Sequence, residues 1–424
     1  MEAATAETTT TPGTTVEAPR RSPWTVFGSS SFRKLWTGLA LSLVGDLFNY
    51  VAMAWLVLQI TGSSLALGAV LMVQAVPRSL LMLVGGAVAD RLSARITVAG
   101  SMALRVLCAA PLAVLILTGH IQLWQVYVSA ALFGAFDAFF YPAQAALLPS
   151  TVTTELLEAG NAVMNVTRQV SLVVFPALAG VVVAAVGTGW AFGVDAATLA
   201  LGAAVVLWLP AVAQSLGRRA QPGQSTSLVA EIRAGVSYAW SDAGIRTALL
   251  VIAAVDFAAN GAINVGLPTL AHGRFAAGAV GLGVLLGAWG VGATVGAAGS
   301  GLRKPPSRMG WLIIVTVAWI GAGIAVTGFV GSLVLAAITL ALTGIATGVI
   351  NTYGVSWLQR RTDPAMQGRV MSLVMLASVG LVPLSLAGSG AIAEINPTIL
   401  FLIAGGLIMA AAATAASSRT VRSI

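Results

Sequence analysis

GGAVADRLSAR, residues 85–95, crowds one acid and two arginines between two long apolar runs, 65–89 and 96–118. Each run is long enough to cross a hydrocarbon layer of about 30 Å, so the stretch reads as a hydrophilic loop between two membrane spans. Gly85 and Gly86 let a neighbouring helix come close, because nothing projects from their α-carbons. Asp90 can then face the positive N-terminal end of an adjacent helix, while Arg91 and Arg95 reach carboxylates or lipid phosphates. Such contacts form in one conformation and break in another. Gly86, Asp90, Arg91 and Arg95 are therefore expected to act as a conformational latch.

The same alternation fills the chain. Of 424 residues, 58% are hydrophobic and 8% charged, where a soluble domain carries about 25% charged. Apolar runs near spanning length fall at 36–60, 65–89, 96–118, 122–148, 159–186, 189–209, 247–270, 278–300, 309–330, 332–354, 370–393 and 397–416. This predicts an all-α membrane protein of twelve spans. The net charge of +8 is no signature of nucleic acid, because of where the basic residues lie. Apart from Arg78, Arg105, Arg168 and Arg274, all 22 Lys and Arg fall in the two tails or in loops 2–3, 6–7, 8–9 and 10–11. The positive-inside rule puts those segments, and both termini, in the cytoplasm.

Residues 1–22 lack the apolar core of a signal peptide and read as a disordered cytoplasmic tail, and 418–424 form a second one. Trp24, Phe27, Phe32 and Trp36 mixed with Arg33 and Lys34 suit the headgroup layer ahead of span 1. The polar interval 211–246 divides a first bundle, 23–210, from a second, 247–417. It begins as linker, and Leu228, Ile232 and Trp240 at helical spacing predict an amphipathic helix on the membrane surface after it. Neither lysine, Lys34 or Lys304, ends a phosphate-cradling glycine loop, which argues against an ATP-driven pump. His120, His272 and the single Cys108 are too scattered for a metal cluster. Both histidines are expected to be solvated in outer loops, and Cys108 to be packing. No enzyme activity and no cofactor beyond a coupling proton are expected.

An internal repeat organises the spans. Asp46 in span 1 and Asp256 in span 7 are 210 residues apart, each with an Asn within about a turn, Asn49 and Asn260. Gly134 and Gly344 keep the same offset, and PALAG (176–180) and PLSLAG (383–388) end on glycines at nearly the same one. Two parallel six-helix halves follow, an arrangement found in secondary transporters with substrate near the midplane. The second half's counterpart of the opening stretch, GLRKPP (301–306), is basic but lacks the acid.

Charges inside spans are the candidates for chemistry. Asp46 and Asp256 each lie roughly 15 Å into their helix, near mid-membrane, and Asp137 joins them as a proton-coupling candidate. Helical spacing lines up Asp46, Asn49, Tyr50 and Met53 on span 1. The same periodicity aligns Asp137, Phe140, Tyr141 and Gln144 on span 4, and Asp256, Asn260 and Asn264 on span 7. Asp195, near the outer end of span 6, reads as structural. Arg78, Arg105 and Arg168 need partners at their depth; Arg105 is expected to support the Asp90 latch, and Arg168, sharing a face with Asn161 and Asn165, to face the cavity. Unpaired arginines there would suit an anionic substrate, and neutralised ones a neutral or cationic amphiphile.

The spacing Gly-x-x-x-Asp-Arg-x-x-x-Arg from Gly86 to Arg95 resembles the loop 2–3 signature of the major facilitator superfamily, with Ser93 where a Gly is usual and Ala94 where a base is common. Residues 31–63, FFYPAQAALLP (139–149), NAVMNVTRQV (161–170) and QGRVMSL (367–373) resemble its twelve-span drug:proton antiporters, in the macrolide-efflux and enterobactin-exporter branch. FPALAG (175–180) is similar to that group's span 5 signature, with Phe175 in place of a Gly, so Pro176 and Gly180 are expected to be a helix-packing motif. The resemblance implies two pseudo-symmetric six-helix bundles rocking about a central site. It further implies a monomer in the bacterial inner membrane that exports small amphiphilic molecules by proton antiport. Export of a specific natural product or siderophore is the alternative. A non-transporting receptor or scaffold is the alternative of another class.

Overall fold

The computed structural model describes residues 23–210, 228–275, 277–302, 306, 308–418 and 422, with side chains for all of these except 83–91 and 228–232. Among the described residues, twelve helical segments are long and apolar enough to cross a membrane. The first six are α1 (Ser30–Thr61), α2 (Ser64–Arg91), α3 (Ala94–Leu117), α4 (Leu123–Thr151), α5 (Leu157–Val186) and α6 (Thr188–Leu207). Next comes α7 (Leu228–Ser241), the surface helix, and then α8 (Ala243–Gly261) and α9 (Leu267–Gly273), which share the seventh span. The rest are α10 (Gly278–Gly301), α11 (Met309–Thr327), α12 (Leu333–Arg361), α13 (Gln367–Val379), α14 (Val382–Ile395) and α15 (Pro397–Ser417), with α13 and α14 forming the eleventh span.

Three departures from the sequence reading have local causes. The opening stretch is mostly not a loop: α2 stays helical through Arg91, leaving Leu92 and Ser93 as the turn. The seventh span is interrupted by a π-turn at Ala262–Gly266, just before Pro268, whose missing N–H cannot continue the regular ladder. In the same way the eleventh span breaks at Gly380–Leu381, ahead of Pro383.

The two halves repeat one packing scheme. In the first, α2 packs on α4, α3 on α4 and α6, and α1 on α6. The second answers with α10 on α12, α11 on α12 and α15, and α8 on α15. The repeated glycines sit at equivalent crossings. A Cβ on Gly134 would run into the Gln74 carbonyl of α2, and one on Gly344 into the Trp289 carbonyl of α10. Close backbone approach is what stabilises helix pairs in lipid, where apolar burial gives little.

The halves meet mainly along α2–α14 and α5–α10. We call the face where α1 begins proximal and the opposite face distal. At the distal end, Glu394 of α14 accepts hydrogen bonds from the Ser63 hydroxyl and the Leu65 N–H, both at 3.0 Å. A Cβ on Gly68 would lie 2.6 Å from the Leu386 carbonyl, so these helices touch backbone to backbone. Pro176 and Gly180 pack likewise against α10: a Cβ on Gly180 would lie 2.5 Å from the Ala279 carbonyl, and one on Gly283 2.6 Å from that of Pro176. The matching Gly388 has open space around it. Toward the proximal face, α4, α12 and α13 make no substantial contact across the halves among the described residues. Among the described residues, the cavity between the halves is closed distally and open proximally.

Candidate functional site

Helical periodicity on α1 and α4 builds the wall of a cavity of about 500 Å³ between the halves. Asp46, Asn49, Tyr50 and Met53 line it from α1, and Asp137, Phe140, Tyr141 and Gln144 from α4. Arg168 of α5 and, across the cavity, Asn260 and Asn264 complete the set expected from sequence, with one exception. Arg78, Gln74 and Asn165 also line it. Gln74 carries no charge and sits in an apolar run, so no signal in the chain singled it out.

The electrostatic centre is a residue the sequence reading placed elsewhere. Arg105 is fully buried, and it serves this cavity rather than the Asp90 loop. Its Nη1 donates to Asp46 Oδ1 at 2.6 Å and to Asp137 Oδ1 at 3.2 Å, and its Nη2 donates to Ser42 Oγ at 3.0 Å. The guanidinium carbon lies 4.7 Å from the Phe140 ring centre and 5.4 Å from that of Phe133. Two carboxylates, a hydroxyl and two ring faces replace the water that a buried cation loses. Arg78 extends the network, with Nε 3.3 Å from Asp137 Oδ2 and its guanidinium 5.0 Å from the Tyr141 ring centre. The first contact is an ion pair by distance only, since Nε makes no well-aligned hydrogen bond.

A second buried acid lies behind this wall. Asp195 has no exposed surface; its Oδ2 accepts from Asn49 Nδ2 at 2.7 Å, and its Oδ1 has no hydrogen-bond partner among the described residues. Gly45 makes room, since a Cβ there would lie 2.7 Å from that oxygen. Asn49 is itself buried, so its amide holds Asp195 rather than reaching freely into the cavity. Arg168 lines the cavity with no ion pair to any described acid.

The exception is Asp256. The expectation that it shares a vestibule with Asp46 is corrected: it lines a separate cavity of about 250 Å³ inside the second half, together with Ser378. The duplicated Asp thus serves two environments, because only the first half supplies an arginine at the matching depth.

Other expected residues fall as follows. The surroundings of Gly86 and the side chains of Asp90 and Arg91 lie outside what the structure describes. Arg95 donates to the Leu209 carbonyl just past α6, within its own half. Cys108 is buried and free. His272 is exposed as expected but rests edge-on against Trp55, ring centres 5.2 Å apart. Arg274, the outlier in the charge pattern, donates to the Gly328 carbonyl at 2.5 Å and Thr398 Oγ1 at 2.7 Å, tying the distal loops together. The surface helix α7 packs through Ala239, while Trp240 is exposed.

Comparison with known proteins decides the family. Residues 21–424 match the family of transmembrane secretion effectors, a division of the major facilitator superfamily. The chain belongs to that family. It is a multi-pass membrane transporter of a bacterial type, a class that moves solutes rather than catalysing reactions. The MFS-type transporter YfiS of Bacillus subtilis is 25% identical over 87% of this chain and 88% of its own length. The multidrug efflux pump Tap of Mycolicibacterium fortuitum is 26% identical over 82% of the chain and 86% of its own length. The enterobactin exporter EntS of Citrobacter koseri is 29% identical over 57% of both. Among solved structures, the nucleoside transporter NupG has a TM-score of 0.65 at 17% identity, over 90% of this chain and 98% of that one. A bacterial homologue of ferroportin in an inward-facing state gives 0.69 at 15% identity, over 92% and 99%. At such identities these two define the fold alone.

Proposed function

We propose that this transporter exports small amphiphilic molecules in exchange for protons, by alternating access at the Asp46 cavity. The observation that carries this is the Arg105 guanidinium bridging Asp46 and Asp137 at the cavity wall. A carboxyl pressed against a buried arginine keeps its charge; one that loses that contact in a dry site takes up a proton. Arg105, Asp46 and Asp137 all belong to the first half, so rocking of the halves would wet or dry this bridge, and the contact would loosen or tighten with its hydration. Proton binding and cavity orientation then become linked. In this scheme Asp46, a quarter exposed at its side chain (27%), meets the proton, and Asp137 with Arg78 holds Arg105 in place.

The cavity wall mixes charged, amide and aromatic groups with Leu39, Leu43, Leu47 and Met164, which fits an amphiphile rather than a sugar or an ion. By the positive-inside rule the open proximal face is cytoplasmic, in a bacterial inner membrane. Efflux is named for the relatives Tap and EntS, which supports the outward direction. A second reading, export of an anionic natural product or siderophore, draws on Arg168, the cavity arginine without an acid beside it.

The test is transport by the full chain in proteoliposomes with an imposed pH gradient, using a cationic dye and an anionic catecholate chelator as probes. Gradient-driven flux of the dye that Asp46→Asn abolishes is the expected result. Flux indifferent to the gradient, or unchanged by Asp46→Asn, would overturn the proton scheme. Preference for the chelator, lost in Arg168→Gln, would select the second reading.

A further inference from the structure

The Asp256 cavity has a chemistry of its own. Five helices of the second half enclose it: α8, α11, α12, α13 and α15. Its wall is mostly apolar, with Val251, Val255, Ile313, Val317, Ile320 and Trp357 outweighing the polar Thr247, Asn351 and Ser378. Asp256 is its sole ionisable acid, and no Lys, Arg or His lines it among the described residues. Arg361, nearest by way of Trp357, lies on that ring 5.8 Å from its centre and already pairs with Asp242 at 3.0 Å. The contrast with the first half is sharp. There each carboxylate at this depth contacts an arginine or a buried amide, whereas the cavity around Asp256 offers only the neutral polar groups of Thr247, Asn351 and Ser378. A carboxylate in apolar surroundings is costly until a cation or a proton reaches it.

From this juxtaposition we propose that the second-half cavity is a binding site for a compact apolar ammonium ion, with Asp256 as counter-ion. A volume of about 250 Å³ is just below the usual 300–1,000 Å³ range of ligand pockets, so the occupant must be small. The apolar wall takes its hydrocarbon body, and the Asp256 carboxylate faces its N–H, with Ser378 and Asn351 as neutral polar neighbours on the wall. The site is distinct from the Asp46 cavity. Asn260, one turn along α8, donates its Nδ2 to the Asp256 backbone carbonyl at 2.8 Å and lines the larger cavity instead. A single turn of α8 therefore partitions the two, and binding here does not depend on the proton scheme proposed above.

The experiment is calorimetric titration of the purified full-length transporter in detergent at neutral pH, with 1-aminoadamantane as probe and 1-adamantanol as its neutral counterpart. One equivalent of the amine should bind, and the alcohol should bind at least about ten-fold more weakly, as expected for loss of a charged hydrogen-bond partner. Asp256→Asn should reduce the amine to the level of the alcohol. Gly354→Leu should block both while keeping Asp256. A Cβ at Gly354 meets Ile350 at an ordinary contact distance of 3.6 Å, so the added side chain fills the cavity rather than breaking the helix pair. Asp46→Asn should leave binding unchanged. Absence of amine binding, equal affinity for the alcohol, or undiminished binding in either second-half variant would overturn the proposal. Loss of binding in Asp46→Asn would move the site to the larger cavity and overturn it as well.

Discussion

Arg105 offers the most demanding test of the charge network, because one nitrogen, Nη1, serves both Asp46 and Asp137. Arg105→Gln leaves two carboxylates facing each other, Asp137 buried and only Asp46 partly solvated, and of the two acids Arg78 pairs only with Asp137. Removing one partner of a buried ion pair costs about 3–5 kcal/mol. Asp46→Asn is milder: Arg105 keeps Asp137 and Ser42, and Asp46 is partly solvated, so about 1–2 kcal/mol is expected for the lost charged hydrogen bond. In the double variant the orphaned Asp46 carboxylate no longer exists. Its cost should then fall short of the sum of the singles by about 1–2 kcal/mol, within the range for residues in direct contact. Denaturant titration in mixed micelles, followed by circular dichroism, reads all four corners of the cycle. Additivity within about 0.5 kcal/mol would mean that Asp46 and Arg105 are not coupled, and the reasoning would fail. An Asp46→Asn variant as unstable as Arg105→Gln would refute it equally.

Three further outcomes are expected. Gly68→Leu places a side chain where a Cβ alone would lie 2.6 Å from the Leu386 carbonyl, so distances between distal spin labels on α2 and α14 should lengthen and transport should fall; unchanged distances would contradict the packing. Asn49→Leu removes the hydrogen bond to Asp195 and should cost about 1–3 kcal/mol in the same unfolding assay, with Asp195→Ala in that background recovering part of it. Asp242 caps α8: partial burial pushes its carboxyl upward, but hydrogen bonds from Arg361, Ile245 and Gly244 outweigh it and hold the group below its ordinary value. The contribution is therefore present above its unfolded value of about 3.9 and is lost as pH falls through the lower folded one. Asp242→Ala should cost about 1 kcal/mol at neutral pH and flatten the acid side of the stability profile.

The span 1 and span 4 stripes were legible because a helix converts spacing directly into a shared face, and every member of both stripes lines the cavity. The same arithmetic misassigned Asp256. Its spacing with Asn260 is helical and both lie in the regular part of α8, but the helices packed around α8 divide the space within that one turn and leave the two residues in different cavities. Arg105 was misplaced for a related reason. Counting residues from the helix end gave its depth roughly, but its partners come from α1 and α4, more than thirty residues away along the chain.

Composition and hydropathy alone determined that this chain crosses a membrane twelve times, since an unsatisfied backbone in lipid leaves a long apolar run no alternative to a helix. The duplicated glycines and acids likewise declared two halves, because a repeat in sequence must repeat its crossings in space. Which acid meets an arginine, which cavity it faces, and which end of the molecule is shut were decided only by tertiary structure. Those properties depend on side chains from different helices meeting at one depth, and local spacing carries no information about the helix that will stand opposite.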